Sequence, residues 1–294
     1  MESKILTKSG TNELEIIEFY VGEGTYGINV AKVSQITKFI HEISEYPQSS
    51  PAIEGMINYR GNVIPVINLF TVLDIPKKEY KQMMLITKFN NRTICFIVGE
   101  VKGIHKDQWT NIESSQNFMN FKTGDQYITG VLKKEKELIS LIDFESILSR
   151  LLGESMTYEL GELEKLIESN KEIIFAEDSS MIAKVLKDNL ISIGFTNIKS
   201  FSNGQDLWDY LESNKDSVNN IYCILSDIEM PKMDGLTLCR KIKEHNQLNQ
   251  LKVVLFSSLI TEELRNKGES VGADAQISKP DMKELLDTLK NITD

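Results

Sequence analysis

Cysteine is scarce in this chain: Cys95, Cys223 and Cys239 are the only three among 294 residues. They are far apart and odd in number. Neither a disulfide framework nor a cysteine zinc site is indicated, and a reducing cytoplasm is the expected compartment. Long apolar runs are lacking too, and none is long enough to span a bilayer. The opening MESKILTKSGTNELE has no apolar core of the kind a secretory signal needs, so no direct membrane insertion is expected. Positive charge is in deficit, with 33 Lys+Arg against 43 Asp+Glu and a net charge of −10. Residues 1–155 carry 17 basic and 19 acidic side chains (−2), and residues 156–294 carry 16 and 24 (−8). No basic stripe interleaved with aromatics occurs, so nucleic acid is not an expected partner. His41 and His105 have no partner at metal-ligand spacing and read as ordinary histidines, and Trp109 reads as core.

What is present divides in two. The first part is rich in short apolar runs separated by turn residues: Leu14–Val21, Tyr26–Val30, Val33–Phe39, Met83–Phe89, Thr93–Val98, Tyr127–Leu132 and Leu138–Ile142. That pattern predicts an all-β barrel or sandwich. Asn90-Asn91 marks a hairpin between two of the runs, and Gly61-Asn62 is expected to form another, with Arg60 at the end of its strand. Phe144, Ile147, Leu148 and Leu151 share one face of a helix over Phe144–Leu152. No constellation in residues 1–155 suggests catalysis.

Residues 156–170 are read as a linker. Leu160, Leu163, Leu166 and Ile167 lie at helical spacing among glutamates, which fits an amphipathic connecting helix or the end of the first domain.

From residue 171 onward strands and helices alternate. Strands are expected at Ile173–Ala176, Ile198–Phe201, Ile221–Ser226, Val253–Phe256 and Gln276–Ile277, with helices between them and a last helix carrying Met282, Leu285, Leu286 and Leu289 inward. Five strands alternating with helices imply a doubly wound parallel sheet. In the order 2-1-3-4-5 the ends of the first and third strands are neighbours. Glu177 and Asp178 would then lie beside Asp227, each directly after an apolar run. Three converging carboxylates suit a hard divalent cation with oxygen ligands, such as Mg²⁺. A carboxylate can also act as a nucleophile and form an acyl phosphate. Ser257 and Lys279, again just after apolar runs, would add a hydroxyl and a cation. Taken singly, Asp178 or Ser179 could be a helix cap, Ser257 a buried hydroxyl and Lys279 a surface lysine.

In four ordered motifs, AEDSS at 176–180, LSDIEMPKMDG at 225–235, VVLFSS at 253–258 and SKP at 278–280, residues 171–294 resemble a response-regulator receiver domain. The resemblance implies Asp227 as phospho-acceptor and Asp178 as metal ligand. It further implies Glu177 acting on the metal through water, the backbone carbonyl of Glu229 as another ligand, Ser257 as switch hydroxyl and Lys279 as the lysine of the pocket. It also implies a cis Lys279-Pro280 bond. Two positions depart from the best-known members. Gln276 stands where they carry a switching aromatic ring. Glu229 replaces an asparagine often found there.

The segment IEGMINYRGNVIPVINL at 53–69, with YGINVAKVSQI at 26–36 and LISLIDFESIL at 138–148, resembles the CheW-type coupling domains of bacterial chemotaxis. That family implies a pair of five-stranded barrels bridging chemoreceptor tips and the histidine kinase CheA. By the same resemblance Arg60 is a receptor-contact residue, and Val33 and Ile36 are either a docking edge or plain core. A CheW-like domain followed by one receiver is the arrangement of the CheV family of coupling proteins. The expectation is a cytoplasmic adaptor at membrane-bound receptor arrays, modulated by phosphorylation on Asp227 and not itself a metabolic enzyme, although a receiver may catalyse its own phosphorylation. Two alternatives are a phosphate sink that drains the kinase and a structural array component with a silent receiver.

Overall fold

The computed structural model describes residues 10–40, 42–45, 50–76, 81–89, 92–115, 127–134, 137–151, 169–258, 262–279 and 281–292. Two compact units are present. One is formed by residues 14–107 and 111–155, the other by residues 156–294 together with 1–13 and 108–110. The linker helix, His41, the Asn90-Asn91 turn and the Lys279-Pro280 bond fall wholly or in part outside the described residues.

The β-rich unit runs through β1 (Glu13–Val21), β2 (Gly24–Asn29), β3 (Val33–Lys38), β4 (Ile53–Tyr59), β5 (Asn62–Asn68), the short α1 (Leu69–Val72), β6 (Met83–Phe89), β7 (Arg92–Val98), β8 (Val101–Gln108), β9 (Ile112–Ser114), β10 (Ile128–Lys134), β11 (Glu137–Ile142) and α2 (Phe144–Leu151). These strands make a six-stranded sheet in the order β8-β1-β2-β11-β10-β9 and a five-stranded sheet in the order β3-β6-β7-β5-β4. One sheet therefore has a strand more than the five expected. β8 and β9 lie outside the expected apolar runs, and a nearly continuous strand passes from β7 in one sheet to β8 in the other. It turns at Gly99, where a Cβ would come within 2.6 Å of the Tyr20 carbonyl oxygen.

The edges of each sheet are linked by short connections or side-chain bonds. β8 and β9 are opposite edges of the six-stranded sheet and are joined by only three residues, Trp109–Asn111, a link of about 14 Å at most. The edges of the other sheet are bridged by a hydrogen bond from the Tyr59 hydroxyl on β4 to Gln35 on β3 (2.9 Å). A single apolar core joins the two, with Ile17, Phe19 and Val21 from one sheet and Val66, Leu85 and Phe96 from the other. Helix α2 seals it: Phe144 stacks on Phe89 and meets Phe96 edge-on.

The second unit contains β12 (Glu172–Ala176), α3 (Ser180–Ser192), β13 (Ile198–Phe201), α4 (Gly204–Ser213), β14 (Ile221–Ser226), α5 (Gly235–Glu244), β15 (Val253–Ser257), α6 (Glu262–Ser270), β16 (Ala275–Ser278) and α7 (Met282–Asn291). Its sheet is parallel throughout, in the order β13-β12-β14-β15-β16. This is the doubly wound 2-1-3-4-5 arrangement. Strand side chains alternate between two cores. Ile173, Phe175, Cys223, Leu225, Val254 and Phe256 pack with Leu186 and Leu190 of α3 and with Leu285 and Leu289 of α7. Ile174, Ile224, Val253 and Leu255 pack on the other face with Leu207 and Leu211 of α4 and Leu238 and Ile242 of α5.

Candidate functional site

The sheet order brings the chemistry-bearing residues together at the carboxyl edge of the second unit. β12 and β14 are in register at Ala176 and Ser226, so the residues that follow, Glu177 and Asp227, leave adjacent strand ends. Each is fixed by one further rung of backbone pairing: Asp227 N–H donates to the Ala176 carbonyl (3.0 Å) and Glu177 N–H to that of Phe201 (3.0 Å). On the other side Ser257 pairs with Ser278, and the Lys279 N–H donates to the Ser257 carbonyl (2.9 Å). Backbone pairing thus positions these side chains before any side-chain contact is counted.

Carboxylate oxygens of Glu177, Asp178 and Asp227 all lie within 4.8 Å of one another. Glu177 and Asp227 are buried and Asp178 is half-buried. Lys279 reaches into the cluster. Its Nζ lies 2.6 Å from Glu177 Oε2 and 3.0 Å from Asp227 Oδ2, and the residue is only 1% exposed. One buried cation bridging two buried anions is tolerable because each charge is paired. The three carboxylates and the ammonium leave two units of negative charge uncompensated among these four groups. An all-oxygen donor set this compact fits a hard divalent cation. Ser257 is buried at the end of β15. The ambiguity over the start of α3 is resolved in favour of Ser179, whose hydroxyl caps the helix by accepting from Ile182 N–H (3.4 Å). Asp178 is therefore not the cap.

The turn after Asp227 holds residues that the sequence reading did not single out. Asp227 Oδ1 accepts from the Ile228 N–H (2.7 Å), and its backbone carbonyl accepts from the Ser226 hydroxyl (2.8 Å). Gly235 begins α5 directly beneath, and a Cβ there would collide with that same carbonyl oxygen. Asp234 caps α5, accepting from the N–H and hydroxyl of Thr237. Burial pushes its carboxyl up to about 6, against the opposing pull of those hydrogen bonds. An Asp directly before Gly at a helix start is a recognisable cap signal, so Asp234 was findable. The collision at Gly235 was not.

In the β-rich unit the hairpin is shifted by one residue from expectation. Tyr59 pairs with Asn62, so Arg60 and Gly61 are the two turn residues, both at positive φ (54° and 84°). These values suit a type I′ turn. Arg60 therefore sits in the turn itself, with its guanidinium over the Tyr59 ring (5.0 Å) and 3.3 Å from Gln35 Oε1. Val33 and Ile36, both on β3, are not brought together. Val33 packs against the core, whereas Ile36 faces outward and is 38% exposed. A register irregularity between Val33 and Gln35 interrupts the strand's alternation between the two.

Comparison with known families assigns each half. Residues 15–152 match the CheW-like domain and residues 173–290 the response regulator receiver domain. The chain thus carries a CheW-like domain followed by a response regulator receiver domain. Over its whole length it is similar to chemotaxis protein CheV3 of Helicobacter pylori, at 29% identity over 312 aligned positions covering 100% of this chain and 99% of the relative. It is also similar to CheV1 of the same organism, at 24% identity covering 95% and 93%. Chemotaxis protein CheW of Bacillus subtilis aligns at 29% identity with 48% of this chain and 90% of its own length. The chain is accordingly a signalling protein of the chemotaxis class, a CheW-like domain carrying a receiver.

Proposed function

We propose that this protein is an adaptor that couples chemoreceptors to the histidine kinase CheA through its CheW-like unit, and that a phosphoryl group on Asp227 adjusts the coupling. The observation that carries the proposal is the buried Lys279 paired with both Glu177 and Asp227 inside a three-carboxylate cluster. Such a pocket has little structural use and fits phosphoryl transfer, which needs charge neutralisation and positioning more than acid–base groups. Asp178, Asp227 and the carbonyl of Glu229 would hold Mg²⁺, with Glu177 acting through water. When bound, the cation would neutralise negative charge on the incoming phosphoryl group.

The residues of the chain do the rest. A carboxylate oxygen of Asp227 attacks phosphorus as the bond to the phosphohistidine nitrogen breaks, leaving an acyl phosphate and a free imidazole. Lys279 pairs with the new negative charge, and the Ser257 hydroxyl donates a hydrogen bond to a phosphoryl oxygen. The acyl phosphate adds about 1.5 to 2 negative charges and three acceptor oxygens at the end of β14. In the CheW-like unit, Arg60 and the exposed side of β3 at Ile36 would meet the partners, with Val33 supporting them from the core. Residues 156–170 would link the two domains. Location in the cytoplasm at receptor arrays follows from the same role; among the described residues no helix is long and apolar enough to cross a membrane.

The test is labelling with acetyl phosphate and Mg²⁺, followed by a receptor–kinase coupling assay. Wild type is expected to take up one phosphoryl group and to change its coupling, while Asp227→Ala takes up none. Rapid turnover with unchanged coupling would indicate a phosphate sink, and failure to label a silent receiver. A second outcome concerns Glu229. Its carboxylate repels an approaching nucleophile, so Glu229→Asn is expected to shorten the acyl-phosphate lifetime severalfold; a lifetime equal or longer would refute that role.

A further inference from the structure

Two segments remote in sequence from residues 156–294 fold with that unit: residues 1–13 and 108–110. Asn12 and Trp109 hold them to the turn between Asp227 and α5. Lys232 in that turn has a positive φ (65°), a conformation lysine rarely adopts. Its N–H donates to the Trp109 carbonyl (2.7 Å), and its carbonyl accepts from Asn12 Nδ2 (2.9 Å). The other end of the same carboxamide, Asn12 Oδ1, accepts from the Asp234 N–H (2.9 Å). Trp109 N–H in turn donates to the Asn12 carbonyl (2.9 Å), which closes a ring of hydrogen bonds. Asn12 is buried and is itself at positive φ (61°). Asparagine meets both demands: it tolerates the left-handed conformation, and its side chain offers a donor beside an acceptor, as a peptide group does. The segment lies close on α5, since a Cβ at Gly10 would come within 3.3 Å of the Leu236 carbonyl oxygen.

We propose that Asn12 is a positioning residue of the receiver pocket: with Trp109 it fixes the turn that carries Asp227. The proposal rests on the reading of Asp227 as phosphoryl acceptor. Strained backbone such as that at Lys232 persists only where its surroundings enforce it, and here both of its backbone polar groups are held. The Gly235 N–H donates to the Ile228 carbonyl (2.9 Å), and the Ile228 N–H donates to Asp227 Oδ1 (2.7 Å). A shift at 232–234 is therefore passed to the Asp227 carboxylate. Residues 171–294 do not supply this grip themselves. Asn12 comes one peptide bond before Glu13 of β1, and Trp109 one after Gln108 of β8.

Asn12→Gly in the full-length chain tests it, because glycine keeps the positive φ and removes both side-chain bonds. Exchange of the Asp234 amide is expected to rise roughly tenfold while α3 and α7 exchange as in wild type. The Ile228 amide resonance is expected to shift, and labelling of Asp227 by acetyl phosphate with Mg²⁺ to slow roughly threefold to tenfold. Asn12→Asp retains the acceptor for Asp234 and loses the donor to Lys232. It is expected to keep the Asp234 amide protected and to recover part of the labelling rate. Unchanged Asp234 exchange in Asn12→Gly would overturn the proposal. So would faster exchange spread equally over α3 and α7, or faster Asp234 exchange with the Ile228 resonance and the labelling rate unmoved. A wild type that takes no label would instead defeat the reading of Asp227, and the exchange and resonance measurements would still decide whether Asn12 fixes the turn.

Discussion

Replacing Lys279 with alanine is expected to cost the second unit about 3–5 kcal/mol, the usual consequence of removing one partner from a buried charge pair. The residue is 1% exposed and its ammonium lies within 3.0 Å of two carboxylates. Its loss leaves Glu177, Asp178 and Asp227 mutually repelling with no cation among them. The loss should be largest in the presence of a chelator and should narrow as Mg²⁺ is added, because a divalent cation at the same carboxylates replaces the missing charge and stabilises by mass action. Urea titration of the full chain, followed by exchange at β12 and β14, measures both quantities. A destabilisation below about 1 kcal/mol, typical of an exposed pair, would mean that the lysine does not neutralise the cluster. The same variant should label poorly with a phosphodonor even when folded.

The receiver half was readable because each of its site residues directly follows an apolar run. Glu177 follows Ile173–Ala176, Asp227 follows Ile221–Ser226, and Lys279 comes just beyond β16. Once the sheet is parallel with order 2-1-3-4-5, strand ends alone bring Glu177 beside Asp227, and the observed register does so. What escaped the sequence reading are features that depend on faces rather than runs. β8, VKGIHKDQ, has few apolar residues because it is a largely exposed edge strand, so it left no apolar signal. The hairpin at Arg60 was displaced by one residue because Asn62 looks like a turn former, while an arginine at positive φ is uncommon. Val33 and Ile36 look alike in an apolar list, yet Val33 packs against the core and Ile36 is exposed, with a register irregularity between them. The packing of the Gln276 amide on Gly268 joins residues of two elements through a close fit that no apolar run records.

Gly235→Ala is expected to have the other large effect, and its sign separates two arguments. Gly235 is the first residue of α5, where alanine is the better helix former by about 1 kcal/mol, so propensity alone predicts a gain in stability. The tertiary environment predicts the reverse. A methyl group at 235 would occupy the position of the Asp227 carbonyl oxygen and press on the Ser226 hydroxyl that bonds to it. The carbonyl oxygen belongs to the backbone of the turn that carries the Asp227 carboxylate, and it cannot swing aside as a side-chain end can. Relief therefore requires displacing α5 or the turn, at a cost of about 3 kcal/mol, the upper end for overpacked sites. Moving the turn also moves Asp227 relative to Lys279, and a shift near 1 Å in a reacting group slows chemistry on the order of a hundredfold. Denaturant midpoint and the rate of labelling by acetyl phosphate should fall together. A variant that keeps wild-type stability but labels slowly would place the effect in the chemistry alone, and a more stable variant would show that α5 accommodates the methyl group without touching the Asp227 turn.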